Sequence, residues 1–133
     1  MSDPSTTAAL GVEGATDISV TPGPLVGPVL RRVVGMLAAR AHLPLDKLDD
    51  AVLVADVVAQ RVGPYATDAV HVRLTPEDRA LWMRIGPLAP GGAQALLSED
   101  AGVGSVILKV ADEVQVDTDD AGEFLRVCVC YAG

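Results

Sequence analysis

Two stretches of helical periodicity in direct succession constrain this chain more than any other feature. From Leu25 to His42 the apolar residues Leu25, Val26, Val29, Leu30, Val33, Val34 and Leu37 recur at helical spacing, and Pro28 is tolerable because it falls in the first turn. Leu43 and Pro44 end that helix. A second opens at Leu45, where Asp46, Asp49 and Asp50 load the first turns with the charge a helix N-terminus favours. Leu48, Val52, Ala55, Ala59 and Val62 make its expected buried stripe until Gly63 and Pro64 stop it. Two amphipathic helices in a row need an apolar surface to cover, and the rest of the chain has to supply it.

That surface is read from alternation. Asp17 to Thr21 forms a short candidate edge strand ended by Pro22, Gly23 and Pro24. Val70, Val72 and Leu74 alternate with His71, Arg73 and Thr75; after a turn at residues 75–79, Leu81, Met83 and Ile85 alternate with Trp82 and Arg84, a β-hairpin pattern. Residues 86–92 read as a Gly/Pro loop, 93–97 as a short helix, and 104–112 as another helix with Val106, Ile107, Val110 and Ala111 on one side. Val114 and Val116, then Leu125, Val127 and Val129 after an acidic turn, supply a second hairpin. The predicted order is β-α-α-β-β-α-β-β. It gives an α/β fold, a two-layer sandwich with helices over one face of a mixed, mainly antiparallel sheet. Met1 to Gly14 is small and polar with no basic segment leading into an apolar one. It reads as a flexible tail over residues 1–16 without a secretory signal, followed by one domain over 17–133.

Composition narrows the function classes. The chain has 133 residues, enough for one core that buries roughly two-thirds of the unfolded surface. No apolar run reaches the ~20 residues of a membrane span, so a cytoplasmic, soluble protein is expected. Ten basic against eighteen acidic side chains give a net charge of −8, which opposes direct nucleic-acid binding. Cys128 and Cys130 would project from one strand face about 6.5–7 Å apart, beyond comfortable disulfide reach. With only His42 and His71 elsewhere they fall short of a closed zinc site, so no metal is expected. Neither histidine has a placed partner that suggests nucleophilic catalysis.

The segment Leu48-Asp49-Asp50-Ala51-Val52-Leu53-Val54 resembles the lead into the first ATP motif of the GHKL, or Bergerat-fold, ATPases, specifically the anti-sigma-factor serine kinases and their small stand-alone relatives. The preceding helix, with Leu30-Arg31-Arg32-Val33-Val34 and Leu37-Ala38-Ala39-Arg40, is similar to their first helix. Gly102-Val103-Gly104, followed by Ile107 and by Val110 to Val114, is similar to their last glycine motif and helix. The resemblance covers roughly residues 17–131 and rests on the order and spacing of these motifs. It implies a Bergerat-like fold and an ATP site with a glutamate and, four residues on, a metal-holding asparagine on the second helix.

Here those two positions fall on Val57 and Arg61, which can act neither as a base nor as a metal ligand. Shifting the register by one residue offers Asp56 and Gln60, also four apart and on one helix face. The aspartate that the family uses to read adenine has no counterpart before Glu99, although Gly102 and Gly104 could still open toward an anion. The expectation is therefore a degenerate relative acting through protein contacts in sigma-factor or antagonist regulation, with no cofactor. The alternatives are an active serine/threonine kinase using ATP, Mg²⁺, Asp56 and Gln60, and an unrelated α/β interaction domain. Candidate partner contacts are Arg31, Arg32 and Arg40 on the first helix, and Trp82 and Arg84 on the open sheet face, where Arg126, Cys128 and Cys130 also fall. That face is expected to meet a protein partner or a second copy.

Overall fold

The computed structural model describes residues 6–10, 14–99 and 102–132, the first of these stretches by its backbone. Ten main elements follow one another: β1 Thr6–Leu10, β2 Thr16–Val20, α1 Val26–Arg40, α2 Leu45–Arg61, β3 Val70–Glu77, β4 Ala80–Leu88, α3 Gly92–Leu96, α4 Val106–Val110, β5 Glu113–Asp119 and β6 Gly122–Cys130. The strands form one six-stranded sheet in the order β1-β2-β3-β4-β6-β5, and every neighbouring pair is antiparallel. The two-layer α/β sandwich is the architecture, with a sheet that is antiparallel throughout rather than mixed.

Alternation decides which side of the sheet is covered. Ile18 and Val20 of β2, Val72 and Leu74 of β3, Leu81, Met83 and Ile85 of β4, and Leu125, Val127 and Val129 of β6 are all buried under the helices. From above, α1 sends down Leu30, Val34 and Leu37, and α2 sends Val54, Ala55 and Val58. Burying each of these larger side chains is worth about 1.5–3 kcal/mol relative to exposure. The stripe on α2 is rotated from the predicted one. Leu48, Val52 and Ala59 are only partly buried, and Val52 and Ala59 lie beside α1. Glycines on α1 allow that approach: a β-carbon at Gly27 would stand 3.7 Å from Ala59 and one at Gly35 3.8 Å from Val52.

Three further boundaries differ from those predicted. Thr6–Leu10, in the stretch expected to be a tail, is a strand paired with β2, because the Asp17-containing strand has a partner on both sides. The expected loop at 86–92 begins later, since β4 continues through Gly86 and a cis Gly86-Pro87 bond to Leu88, with a register shift against β6. The helix expected over 104–112 is shorter, Val106–Val110: Ile107 is buried, Val106, Val110 and Ala111 pack against the core, and the backbone turns extended at Ala111. Among the described residues no helix is long and apolar enough to cross a membrane.

Candidate functional site

The helix-layer position that the resemblance assigns to ATP chemistry is built from α2 and the loop after α3. Val57 is in the core at 5% exposure. Arg61, one turn on, reaches out of α2 and donates hydrogen bonds to the carbonyl oxygens of Ala95, Ser98 and Glu99 and to Ser98 Oγ, at 2.6–3.3 Å. An arginine is well suited to this, since its five N–H groups can satisfy several orphan carbonyls at a short helix's C-terminal end. The consequence is that this side chain closes the loop over α2. Asp56 is half-buried, and its Oδ1 accepts both Nε (3.0 Å) and Nη2 (2.7 Å) of Arg31. Gln60 is exposed one turn later. Asp56 is thus engaged by a cation of α1, and the two candidate partner features Arg31 and Asp56 form one ion pair.

Gly102 and Gly104 both adopt φ near +82°, and Ser105 Oγ caps α4 by accepting the Leu108 N–H at 3.3 Å. They make a tight turn into a five-residue helix. Near the end of β4 lies a carboxylate that the motif pattern does not single out. Glu123 of β6 accepts the backbone N–H groups of Gly91 (2.8 Å) and Ala93 (3.2 Å), stapling the start of α3 to the sheet. Its lone pairs go to the backbone, and only the β4–β6 register brings it there. Among the described residues no group of three or more His, Cys, Asp or Glu converges as a metal site.

The opposite face of the sheet carries no helix among the described residues, and its polar side chains are organised. Strand register lines up Asp17 of β2, Arg73 of β3, Arg84 of β4, Arg126 of β6 and Gln115 of β5, each opposite the next. Arg73 forms a two-pronged pair with Asp17, Nε at 2.7 Å and Nη2 at 3.1 Å. That bond, with the charge behind it, holds the Asp17 carboxyl below its ordinary range and raises Arg73. Arg84 lies 3.7 Å over the ring of Phe124, and Arg126 lies 5.1 Å over Trp82 and donates to Gln115 at 3.1 Å. Both contacts are within cation–π range. Trp82 is half-buried beneath a guanidinium, so it is neither a bare aromatic nor a core residue.

Two shallow grooves flank this row. One, of about 400 Å³, is lined by Asp17, Ser19, His71, Arg73, Arg84 and Phe124 among others. The other, of about 330 Å³, is lined by Arg73, Thr75, Trp82, Arg84, Asp117 and Arg126 among others. His71 is tied to Asp68 at 3.0 Å, and that hydrogen bond is the main reason the Asp68 carboxyl is lowered.

Matches with known proteins add nothing to this geometry. The chain matches no family model and no curated protein sequence. Arg31, Arg32 and Arg40 stand exposed on α1 in the helix layer, while Trp82 and Arg84 stand in the sheet layer, so the two proposed contact sets lie on opposite sides of the molecule. Cys128, directly opposite Trp82, is buried, and Cys130 is partly exposed; both are free thiols. Burial, then the neighbouring Cys130, Glu113 and Asp112, push the Cys128 thiol up to about 12. That disfavours the thiolate, the nucleophilic form, at neutral pH.

Proposed function

We propose that this chain is a degenerate Bergerat-like regulatory domain, related to the anti-sigma-factor serine kinases, that works in the cytoplasm by binding another protein and has lost nucleotide chemistry. One observation carries the reading. Arg61, which the resemblance aligns with a metal-holding amide, donates its hydrogen bonds to the loop at 95–99. A guanidinium there repels Mg²⁺ and draws the loop onto α2. Val57 supplies no carboxylate, and Arg31 engages Asp56, the substitute acid. With base and metal ligand both replaced, phosphoryl transfer lacks positioning as well as charge stabilisation.

Calorimetric titration with Mg-ATP tests this. The expected outcome is no binding tighter than about 1 mM, equivalent to about 4 kcal/mol, and no phosphate transfer to an antagonist protein. A dissociation constant in the low micromolar range would establish a working nucleotide site around Asp56 and Gln60 instead.

A further inference from the structure

Like charges directly opposite one another destabilise a sheet face, yet Arg73, Arg84 and Arg126 stand in one line across β3, β4 and β6. With strands about 4.8 Å apart, the row of three spans about 10 Å, in a protein of net charge −8. The ends of the row are held by Asp17 and Gln115. The centre is held less well. Arg84 Nη2 is 3.9 Å from Asp119, beyond hydrogen-bond length. Its guanidinium instead stacks on Phe124. A guanidinium resting on a ring engages its π-face and keeps its N–H groups at the edge, where an arginine can take a carboxylate through two parallel hydrogen bonds. Beside it the 330 Å³ groove brings Arg73, Arg84, Arg126, Trp82 and Thr75 together against one carboxylate, that of Asp117.

We propose that this arginine row is the docking site for an acidic segment of a partner protein, with a carboxylate side chain seated on Arg84 between Arg73 and Arg126. The proposal rests on the reading of the chain as a protein-binding domain and names the chemistry of its partner. Charge complementarity selects the occupant. The arginines are central, and Asp17, Asp117 and Asp119 stand around them, so a continuous polyphosphate chain would have to cross carboxylates. A segment whose acids alternate with neutral residues places charge on the row and neutral atoms on the rim. The half-buried Trp82 ring offers those neutral atoms an apolar surface.

Trp82 is the chain's single tryptophan and reports directly on the site. The probe is a short synthetic peptide alternating glutamate with serine, titrated at low salt against the full chain while Trp82 emission is followed. The same peptide with glutamine for glutamate and an oligothymidine are the controls. Saturable change is expected with the glutamate peptide alone, weakening as salt is added. Arg84→Gln should lower the affinity about tenfold or more, about 1.4 kcal/mol, whereas Lys109→Gln in the helix layer should leave it unchanged. Arg84→Gln should melt close to the native temperature, because relief of repulsion in the row offsets the lost contacts with Phe124 and Asp119.

A lower melting temperature for Arg84→Gln, reproduced in Arg126→Gln, would make the row structural and overturn the proposal. Equal affinity of Arg84→Gln for the peptide, or tighter binding of oligothymidine, would overturn it too, as would a dimer dissolved by Arg84→Gln with no peptide response. Tight Mg-ATP binding alongside an intact peptide response would overturn the reading of a lost nucleotide site and leave the arginine row standing. No peptide response and no ATP binding would do the reverse.

Discussion

Cys128 and Cys130 differ by two positions and share a strand face, yet they differ in exposure. Cys128 lies against Trp82 in the strand register and is 3% exposed, while Cys130, near the end of β6, is partly open. Desolvation penalises the Cys128 thiolate first, and nearby Cys130, Glu113 and Asp112 add to that, raising the thiol to about 12. The attacking species in alkylation is the thiolate. Brief iodoacetamide treatment of the folded protein should therefore label Cys130 and spare Cys128, and denaturant should make both react. Mass spectrometry of the peptide containing both residues reads the result; equal labelling in the folded state would contradict the buried placement. The same residue-scale logic separates Arg31 from Arg32. Neighbours in sequence, they differ because Arg31 meets Asp56 across the α1–α2 interface. A charge-reversal test of the helix face is accordingly cleaner at Arg32.

At the scale of elements, the passage from β4 toward α3 is the most constrained in the fold. Gly86 has φ +143°, and a β-carbon there would fall 2.6 Å from the Glu123 carbonyl oxygen and 2.7 Å from Phe124 Cδ1. Neither the backbone of β6 nor the ring beneath Arg84 can retreat without disturbing the open face. Gly86→Ala should cost roughly 1–3 kcal/mol from backbone strain, with the clash added. Urea unfolding measures it. A change under about 0.5 kcal/mol, the range of ordinary surface substitutions, would show that β4 can shift to accept the methyl group. This element also shows where patterning misleads. Gly86 and Pro87 are reliable loop signals by composition, but here they lie within the strand, where the register against β6 slips between Ile85 and Leu88.

For the whole molecule, acid stability offers a test of how the sheet's outer face is tied together. Asp17 and Arg73 join β2 to β3, and the folded Asp17 carboxyl sits below an ordinary aspartate's 3.8 because Arg73 donates to its charged form. The unfolded chain then binds the proton more readily than the native one. The contribution is complete above about 3.8 and is lost as pH falls from there through the lower folded value. Both side chains are about half exposed, so it is worth roughly 0–1 kcal/mol. Asp17→Asn should be slightly less stable than the native chain at neutral pH, and the two should converge in strong acid. A gap of undiminished size at low pH would mean the pair contributes by packing rather than by charge.

Helical spacing and strand alternation by themselves determined the two-layer architecture, the extents of α1 and α2 to within a residue or two, and the assignment of Trp82 and Arg84 to the sheet's outer face. Those features depend on which residues repeat along one element, and periodicity is local. The residues at 57 and 61, a valine and an arginine, are likewise read directly from the chain. Tertiary structure alone decided the rest. Strand β1 arises because β2 has a free edge to pair with, the Arg31–Asp56 ion pair because α1 and α2 cross there, and the Glu123 staple because β6 lies beside β4. The arginine row is the clearest case. Arg73, Arg84 and Arg126 are far apart in sequence, each simply polar on its own strand. Antiparallel register aligns them, and shifting one strand by a single residue would turn its arginine to the other face, because side chains alternate with a period of two.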